Sequence, residues 1–465
     1  MILTGFSPAE LVPPVRRVAL AAQRHGGRAF LVGGWVRDRA RGVAVKDLDV
    51  EVFGLSLDTL EQLLAAEGEV IAVGRSFGVL RLKGLDVDFS VPRRDSKIGR
   101  GHRGFRAEPD SELTPADAAR RRDLTVNALL VDPLTGELID PFGGMADLAA
   151  RRLRAVDPAT FPEDPLRPLR VAQFAARLEF AVDADLVRLC RQIDISELPP
   201  ERIWEEWNKL LLRGSRPSLG LHFLREAGLL GATPELAALP GVAQDPEWHP
   251  EGDVWVHTLL ALDRAAALRV GDARWDLPLM LGVLCHDLGK ASTTRLQDGR
   301  WRSHGHDVEG VEPARRLLAR IGAPGWVVEP VAALVRAHLQ PTAFVLQGAG
   351  MRAYRRLARN LDAAGVTLRL LERVACADSR GRLLPGATPP PFTDGEEFLR
   401  RAEEYQVDEG ARPDAVHGRD LLARGFAPGP EIGRWLARCR EVQDETGWEA
   451  PDQVLEEVFR RWPAG

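Results

Sequence analysis

Residues 31–38 read LVGGWVRD and residues 46–54 read KDLDVEVFG, and these two stretches decide the fold of the N-terminal part of the chain. The first is a short apolar strand running through Gly33 and Gly34 into a helix start. A glycine turn there lets backbone N–H groups approach phosphate oxygens at the positive end of a helix. The second is a strand on which Asp47 and Asp49 point to one face, because side chains alternate with period two. Two carboxylates beside a phosphate-cradling turn can hold a pair of Mg²⁺ ions, which activate an attacking hydroxyl and stabilise a leaving pyrophosphate. Alone, the glycine pair is an ordinary tight turn and the strand an acidic edge. Their proximity favours the catalytic reading.

Outward from these stretches, AFLVGG, DLDVEVFG, EVIAVG, GVLRL and DVDFSV between residues 29 and 94 read as strands separated by glycine and charged turns. From Ala116 onward the apolar spacing turns helical, as in LRPLRVAQFAARLEF and VWVHTLLALDRAAAL. The expected class is α+β: a small head with a mixed β-sheet and helices, followed by a long all-helical body. Joints fall at Asp140–Gly144, Pro240–Pro250 and Leu383–Gly395.

At 465 residues the chain has room for about three domains of roughly 150 residues. Hydrophobic residues at 45% and charged residues at 28% exclude a disordered or fibrous chain. The nine-residue apolar run Leu277–Cys285 falls short of the ~20 residues a membrane crossing needs. No secretory signal is visible at the N-terminus, so a cytoplasmic protein is expected. Four scattered cysteines give no zinc-ribbon or disulfide pattern. A net charge of −5 offers no global attraction to nucleic acid, but Arg93–Arg106 holds six basic residues against one acid. That run suits RNA phosphates or a solvated loop equally.

Two further motifs carry chemistry. RRDLTVNAL puts Asp123 and Asn127 four residues apart on one expected helical face, with Arg122 beside them. Such a set can read a ribose 2′-hydroxyl, or form a buried structural pair with a helix cap at Thr125. EDPLRPLR spaces Asp164 and Arg167 i, i+3 on an expected helix. The carboxylate can accept from the exocyclic amine of C or A while the guanidinium donates to the adjacent ring acceptor; the alternative is a surface salt bridge.

LVGGWVRDRARG, KDLDVEVFG, RRRDLTVNALLVDPLTGELIDPFGGMADL, EDPLRPLRVAQFAARL and PERIWEEWNKLL occur in the order found in the bacterial tRNA nucleotidyltransferase and poly(A) polymerase family. The chain resembles this branch of the polymerase-β-like nucleotidyltransferase superfamily. The resemblance implies template-independent addition of C, C and A to tRNA 3′ ends from CTP and ATP, with two Mg²⁺ ions on Asp47 and Asp49. It further implies nucleotide contacts from Gly33, Gly34, Arg37, Arg122, Asp123, Asn127, Asp164, Arg167 and Arg170, with Glu163 in support. Gly143 and Gly144 resemble the family's hinge. One position departs: the usual arginine before Phe174 is Gln173, which bears on base switching. Enzymes adding only A, only CC, or a poly(A) tail share all these motifs.

Five of the ten histidines fall between Trp255 and Leu339. His257, the adjacent pair His286 and Asp287, and distant Asp378 follow the order of the HD phosphohydrolase superfamily. Imidazole and carboxylate together suit a divalent transition metal, nickel or manganese, that polarises a phosphoryl group. His304, His306 and His338 are candidates for phosphate or second-metal contact, and Lys290 for phosphate. PEWHPEGDVWVHT resembles the HD version fused to such transferases. That fusion implies cyclic phosphodiesterase, 2′-nucleotidase or phosphatase activity, or a degenerate scaffold. A hydrolase whose head only binds RNA is a further alternative. On this resemblance, residues 1–143 are the transferase head, 144–238 a helical neck with the base-reading motif, 239–385 the HD domain and 386–465 a helical tail. His417–Leu436 within that tail resembles an RNA-contacting or packing element. The expected partners are tRNA, CTP and ATP, with no membrane.

Overall fold

The computed structural model describes residues 3, 6–43, 45, 47–74, 78–97, 105–383 and 387–463. Contacts divide the chain into two compact units, Met1–Leu210 with Leu219–Ala232 and Leu211–Ser218 with Thr233–Gly465.

The first unit is built on strands β1 (Arg28–Val32), β2 (Leu48–Phe53), β3 (Val70–Gly74), β4 (Val79–Leu82) and β5 (Val87–Ser90). A hairpin of β6 (Arg93–Lys97) and β7 (Phe105–Pro109) stands apart, and β8 (Leu130–Val131) and β9 (Leu138–Ile139) close the main sheet. The sheet order is β3-β4-β5-β2-β1-β8-β9, with only β2 and β5 parallel. Phe30, Leu31 and Val32 are all buried, so β1 is covered on both faces and reads as a continuous apolar run. The helix Pro13–Arg24 supplies part of that cover through Val15, Val18, Ala19 and Ala22.

The expected α+β class is the observed one, with two amendments. The sheet does not end before Ala116, since β8 and β9 complete it. They are too short to give a period-two signal. The body is also not wholly helical: Arg295–Gln297 and Arg300–Arg302 form a hairpin. Its turn places Asp298 at φ 50 and Gly299 at φ 74, the left-handed pair that an Asp-Gly turn provides.

In the second unit, the helices Val254–Ala267, Ala273–Cys285, Gly325–Ala337 and Leu368–Gly381 pack together around a buried apolar centre. A Cβ at Gly381 would lie 2.9 Å from Ala261, so this glycine permits close helix approach. Near the C-terminus, Pro430–Thr446 and Pro451–Arg461 bury Trp435, Val442 and Leu455. Among the described residues no helix is long and apolar enough to cross a membrane.

Candidate active sites

In the first unit the glycine turn and the acidic strand meet. Gly33 caps the helix Gly34–Ala40 at φ 70. A Cβ there would lie 3.1 Å from Arg122 Nη1 and 3.4 Å from Asp49 Oδ2. Val32 pairs across from Asp49, and on the other side Asp49 is level with Asp88 of β5. Asp88 was not anticipated from the sequence. Its strand was, but the β2–β5 pairing is non-local, and only that pairing brings the third carboxylate in.

Asp47 and Asp49 are solvent-accessible. Protein atoms crowding Asp49 raise its pKa by limiting hydration; Arg122 opposes this, while Asp88, Asp47 and Glu51 add to the rise. Like charges gathered at one strand end fit a hard cation with oxygen ligands. Among the described residues these carboxylates form no closed ligand cluster of their own, and Mg²⁺ keeps positions for substrate phosphates.

Four of the remaining predicted residues, Arg37, Asn127, Asp123 and Arg170, form a largely buried polar chain. Arg37 is 2% exposed, donating to Asp38 at 2.8 and 2.6 Å and to Asn127 Oδ1 at 2.7 Å. Asn127 Nδ2 donates to Asp123 Oδ1 at 3.0 Å, and Arg170 Nε donates to Asp123 Oδ2 at 2.7 Å. Burial opposes ionisation of Asp123, but Arg170, Asn127 and the Leu124 N–H hold its pKa down at about 2. Asp123 therefore pairs with Arg170. Arg122 faces Glu51 at 3.6 Å instead.

Two local expectations are corrected. Asp123 and Asn127 do not lie on an α-helix. Asp123 precedes a 3₁₀ turn, Thr125–Asn127, that ends on Asn127 and brings the two side chains together just as well. Asp164 is also not helical: it precedes the helix Arg167–Leu178 at φ −104, ψ 106 and caps the Leu166 N–H at 3.0 Å. The following Pro165 disfavours helical backbone at Asp164. Arg167 donates to the backbone carbonyls of Thr160 at 2.9 Å and Arg121 at 2.6 Å. Gln173 is buried, and its Oε1 has no hydrogen-bond partner among the described residues. Gly143 adopts φ 75 ahead of the helix Gly144–Ala149. Within the basic run, residues 98–104 lie outside the described residues, and nearby Arg94 pairs with Asp110 at 2.9 Å.

The second unit brings the histidines together at the ends of its packed helices. His257 Nε2 and His286 Nε2 are 3.2 Å apart, and His257 Nε2 is 3.0 Å from Asp378 Oδ1. His306 Nε2 and His338 Nε2 are likewise 3.2 Å apart. Asp287 lies between the two sets, 3.3 Å from His286 Nε2 and 3.4 Å from His306 Nε2.

The Nδ1 atoms settle the tautomers. His286, His306 and His338 each donate Nδ1–H to the carbonyl three residues earlier, at 2.6, 2.7 and 2.7 Å. His257 donates Nδ1–H to Glu251 Oε1 at 2.7 Å. In neutral imidazoles, all four Nε2 lone pairs then converge in two pairs, an arrangement that favours cations between them. Asp287 Oδ2 is buried and ion-paired with Lys290 at 2.8 Å. The mixed nitrogen and oxygen donors fit divalent transition metals at both sets, His257, His286, Asp378 and Asp287, His306, His338.

Burial, with His286 and His306 beside it, pushes His338 down to about 3. Lys290 also donates to Gln244 at 2.8 Å, and Arg382 pairs with Asp378 at 2.6 Å. His304 is exposed and lines the cavity outside both sets. Glu251, absent from the sequence reading, accepts from His249 as well as His257.

The mixed sheet, with its glycine turn beside carboxylate-bearing strands, is that of a nucleotidyltransferase of the poly(A) polymerase type. Residues 29–154 match the family described as "Poly A polymerase head domain", and residues 180–239 the one described as "Probable RNA and SrmB- binding site of polymerase A". The multifunctional CCA protein of Neisseria meningitidis serogroup A / serotype 4A is 38% identical over 379 residues, 78% of this chain and 85% of that protein. This chain belongs to the multifunctional CCA protein family.

The Bacillus stearothermophilus CCA-adding enzyme, solved in complex with CTP, shares the fold with a TM-score of 0.64 at 24% identity, covering 97% of this chain and 98% of that one. The Thermotoga maritima CCA-adding enzyme, solved with tRNA, has a TM-score of 0.59 at 17% identity, covering 98% and 97%.

Proposed function

We propose that this chain extends the 3′ end of tRNA by C, C and A in the cytoplasm, using CTP and ATP and no nucleic-acid template. The observation that carries the reading is the convergence of Gly33, Asp49 and Arg122 at one turn. Two Mg²⁺ ions held by Asp47 and Asp49, with Asp88 beside them, would activate the attacking hydroxyl and screen the departing charge. The backbone N–H groups of the glycine turn would meet the triphosphate, and the Arg122 guanidinium, 3.1 Å from where a Gly33 Cβ would lie, would reach the same nucleotide. The RNA 3′-oxygen bonds to the α-phosphorus as the bond to the pyrophosphate oxygen breaks, and Arg122 bears part of the developing charge.

Base choice falls to Asp164 and Arg167. The second carboxylate oxygen of Asp164, 3.8 Å from Arg202, can accept from the exocyclic amine of C or A. Arg167 keeps N–H groups beyond the two that serve backbone carbonyls. The Arg37, Asn127, Asp123 and Arg170 network holds these elements in register. The test is incorporation of single nucleotides into tRNA transcripts lacking CCA, ending in CC, and ending in CCA. Completion to CCA and no further is expected. Addition of A alone, of CC alone, or of a tail assigns the chain to a restricted activity instead.

The second unit reads as an HD-type phosphohydrolase, with nickel or manganese at the paired imidazole sets, acting on cyclic phosphodiesters, 2′-phosphates or phosphomonoesters. Bound metal would polarise the phosphoryl group and supply hydroxide. Asp287 contributes one oxygen to each set, and Lys290 offsets its charge. Asp287→Ala should remove both metal retention and hydrolysis while sparing nucleotide addition. A folded variant that loses both activities would contradict independent sites.

A further inference from the structure

Asp287, His306 and His338, with Asp378 of the other set, line a cavity of about 420 Å³, within the range that holds small ligands. Its floor is polar and buried, with Asp287, His338 and Asp378. Its rim is different: Trp248 and Trp301 line the same cavity while remaining 61% and 39% exposed. An indole left in water forgoes the apolar burial that Trp255, fully enclosed in the same unit, obtains.

Both indoles are held on built elements. Trp301 sits on the hairpin, opposite Leu296. Trp248 sits in a turn closed by its own N–H to the Asp245 carbonyl at 3.1 Å. Arg300 joins the two elements, donating to Asp245 at 2.7 Å and also to Glu247. The rim thus presents two flat apolar faces above a floor built for an anionic, metal-bound group. Basic Arg302 and His304 line the same cavity.

We propose that Trp248 and Trp301 form a stacking subsite for a nucleobase, so that the hydrolase cavity takes nucleoside phosphates in preference to phosphoesters without a base. This rests on the phosphohydrolase reading. The nucleoside can be free or be the last residue of an RNA. In both cases the planar base lies on indole and the phosphate reaches the histidine floor. Aromatic stacking tolerates any base, so the subsite discriminates base from no base more strongly than one base from another.

The test uses the full metal-loaded chain and the variants Trp248→Ala, Trp301→Ala and their phenylalanine counterparts. Adenosine 2′-phosphate binding is measured by calorimetry. Hydrolysis is measured on 2′,3′-cyclic AMP, on an oligoribonucleotide ending in a 2′,3′-cyclic phosphate, and on glycerol 2-phosphate. Each alanine variant should weaken nucleotide binding and raise KM for the nucleotide substrates by about 5- to 150-fold. Glycerol 2-phosphate turnover should not change, and phenylalanine should restore most of the loss.

If only the oligonucleotide responds, the RNA end is the source; if the mononucleotide responds as well, free nucleotides are accepted. Equal effects on glycerol 2-phosphate, or no effect on nucleotides, overturns the subsite. Tryptophan-dependent adenosine 2′-phosphate binding without hydrolysis of any substrate retains the subsite and removes the phosphohydrolase reading.

Discussion

Glu251 gives the sharpest test of the second site, because one oxygen serves two rings. Its Oε1 accepts from His249 Nδ1 at 2.8 Å and from His257 Nδ1 at 2.7 Å. Burial opposes its charge, yet these two bonds hold its pKa at about 2, so it stays ionised at any working pH. His257 is fully buried. Replacing Glu251 with alanine leaves the His257 Nδ1–H without an acceptor, or lets the ring turn and withdraw Nε2 from the metal position.

An orphaned buried donor costs about 1–3 kcal/mol, and 1.4 kcal/mol is tenfold, so metal affinity should fall by about 5- to 150-fold. That range overlaps the 10- to 100-fold typical of partners behind a ligating histidine. The assay is calorimetric titration of chelator-stripped protein with Mn²⁺ and Ni²⁺, with CTP incorporation followed in parallel. Glu251→Gln, which keeps one accepting oxygen, should fall between wild type and Glu251→Ala. Wild-type metal affinity in a folded Glu251→Ala protein would refute the positioning role.

At the head, Asp49→Ala should abolish nucleotide incorporation with tRNA binding largely retained, and normal incorporation would remove the metal assignment. Asp88 also accepts from Arg81 Nε at 2.7 Å; Asp88→Ala should lower incorporation without changing tRNA affinity, and an unchanged rate would make Asp88 a partner of Arg81 only. For Asp123, the folded pKa of about 2 lies below the ordinary 3.8, so its contribution is present above pH 3.8 and lost as pH falls toward 2. The full difference is on the order of 2 kcal/mol, and Asp123→Asn should flatten the acid limb of denaturant-unfolding stability; an unaltered limb counts against the network. Asp164→Asn keeps the oxygen that caps Leu166 but can turn the other acceptor into a donor. It should therefore narrow preference against UTP and GTP by about 5- to 150-fold with little loss of stability, and retained preference would move base reading away from Asp164.

Much of the head was legible because its decisive residues are local. Gly33 with Gly34 declares the turn and Asp49 the strand face within a few residues, whereas Asp47 sits one residue ahead of β2. Asp88 was not legible, since its place beside Asp49 depends on parallel pairing between strands far apart in sequence. Spacing also misled at Asp123 and Asn127, where a 3₁₀ turn brings i and i+4 together without an α-helix. At Asp164 the corrective signal was present in Pro165, and for the hairpin it was present in Asp298–Gly299. The histidines were countable, but their division into two sets was not. That division depends on which carbonyl each Nδ1 finds, and on Asp287 standing between them.

The two sites differ in donor chemistry more than in residue count, and the difference separates their metals on the reading proposed here. The head offers carboxylate oxygens alone, spread along two strands and open to solvent. Such a site binds a hard, well-hydrated ion best when a triphosphate completes the coordination. The helical unit offers four imidazole nitrogens with fixed tautomers and two buried carboxylates. That set is largely formed before substrate arrives and favours borderline transition metals. Metal at the head is thus tied to nucleotide binding, whereas metal in the second unit is tied to the fold of its histidine-bearing helices. A chelator too weak to strip the histidine sets should therefore arrest nucleotide addition while leaving hydrolysis running.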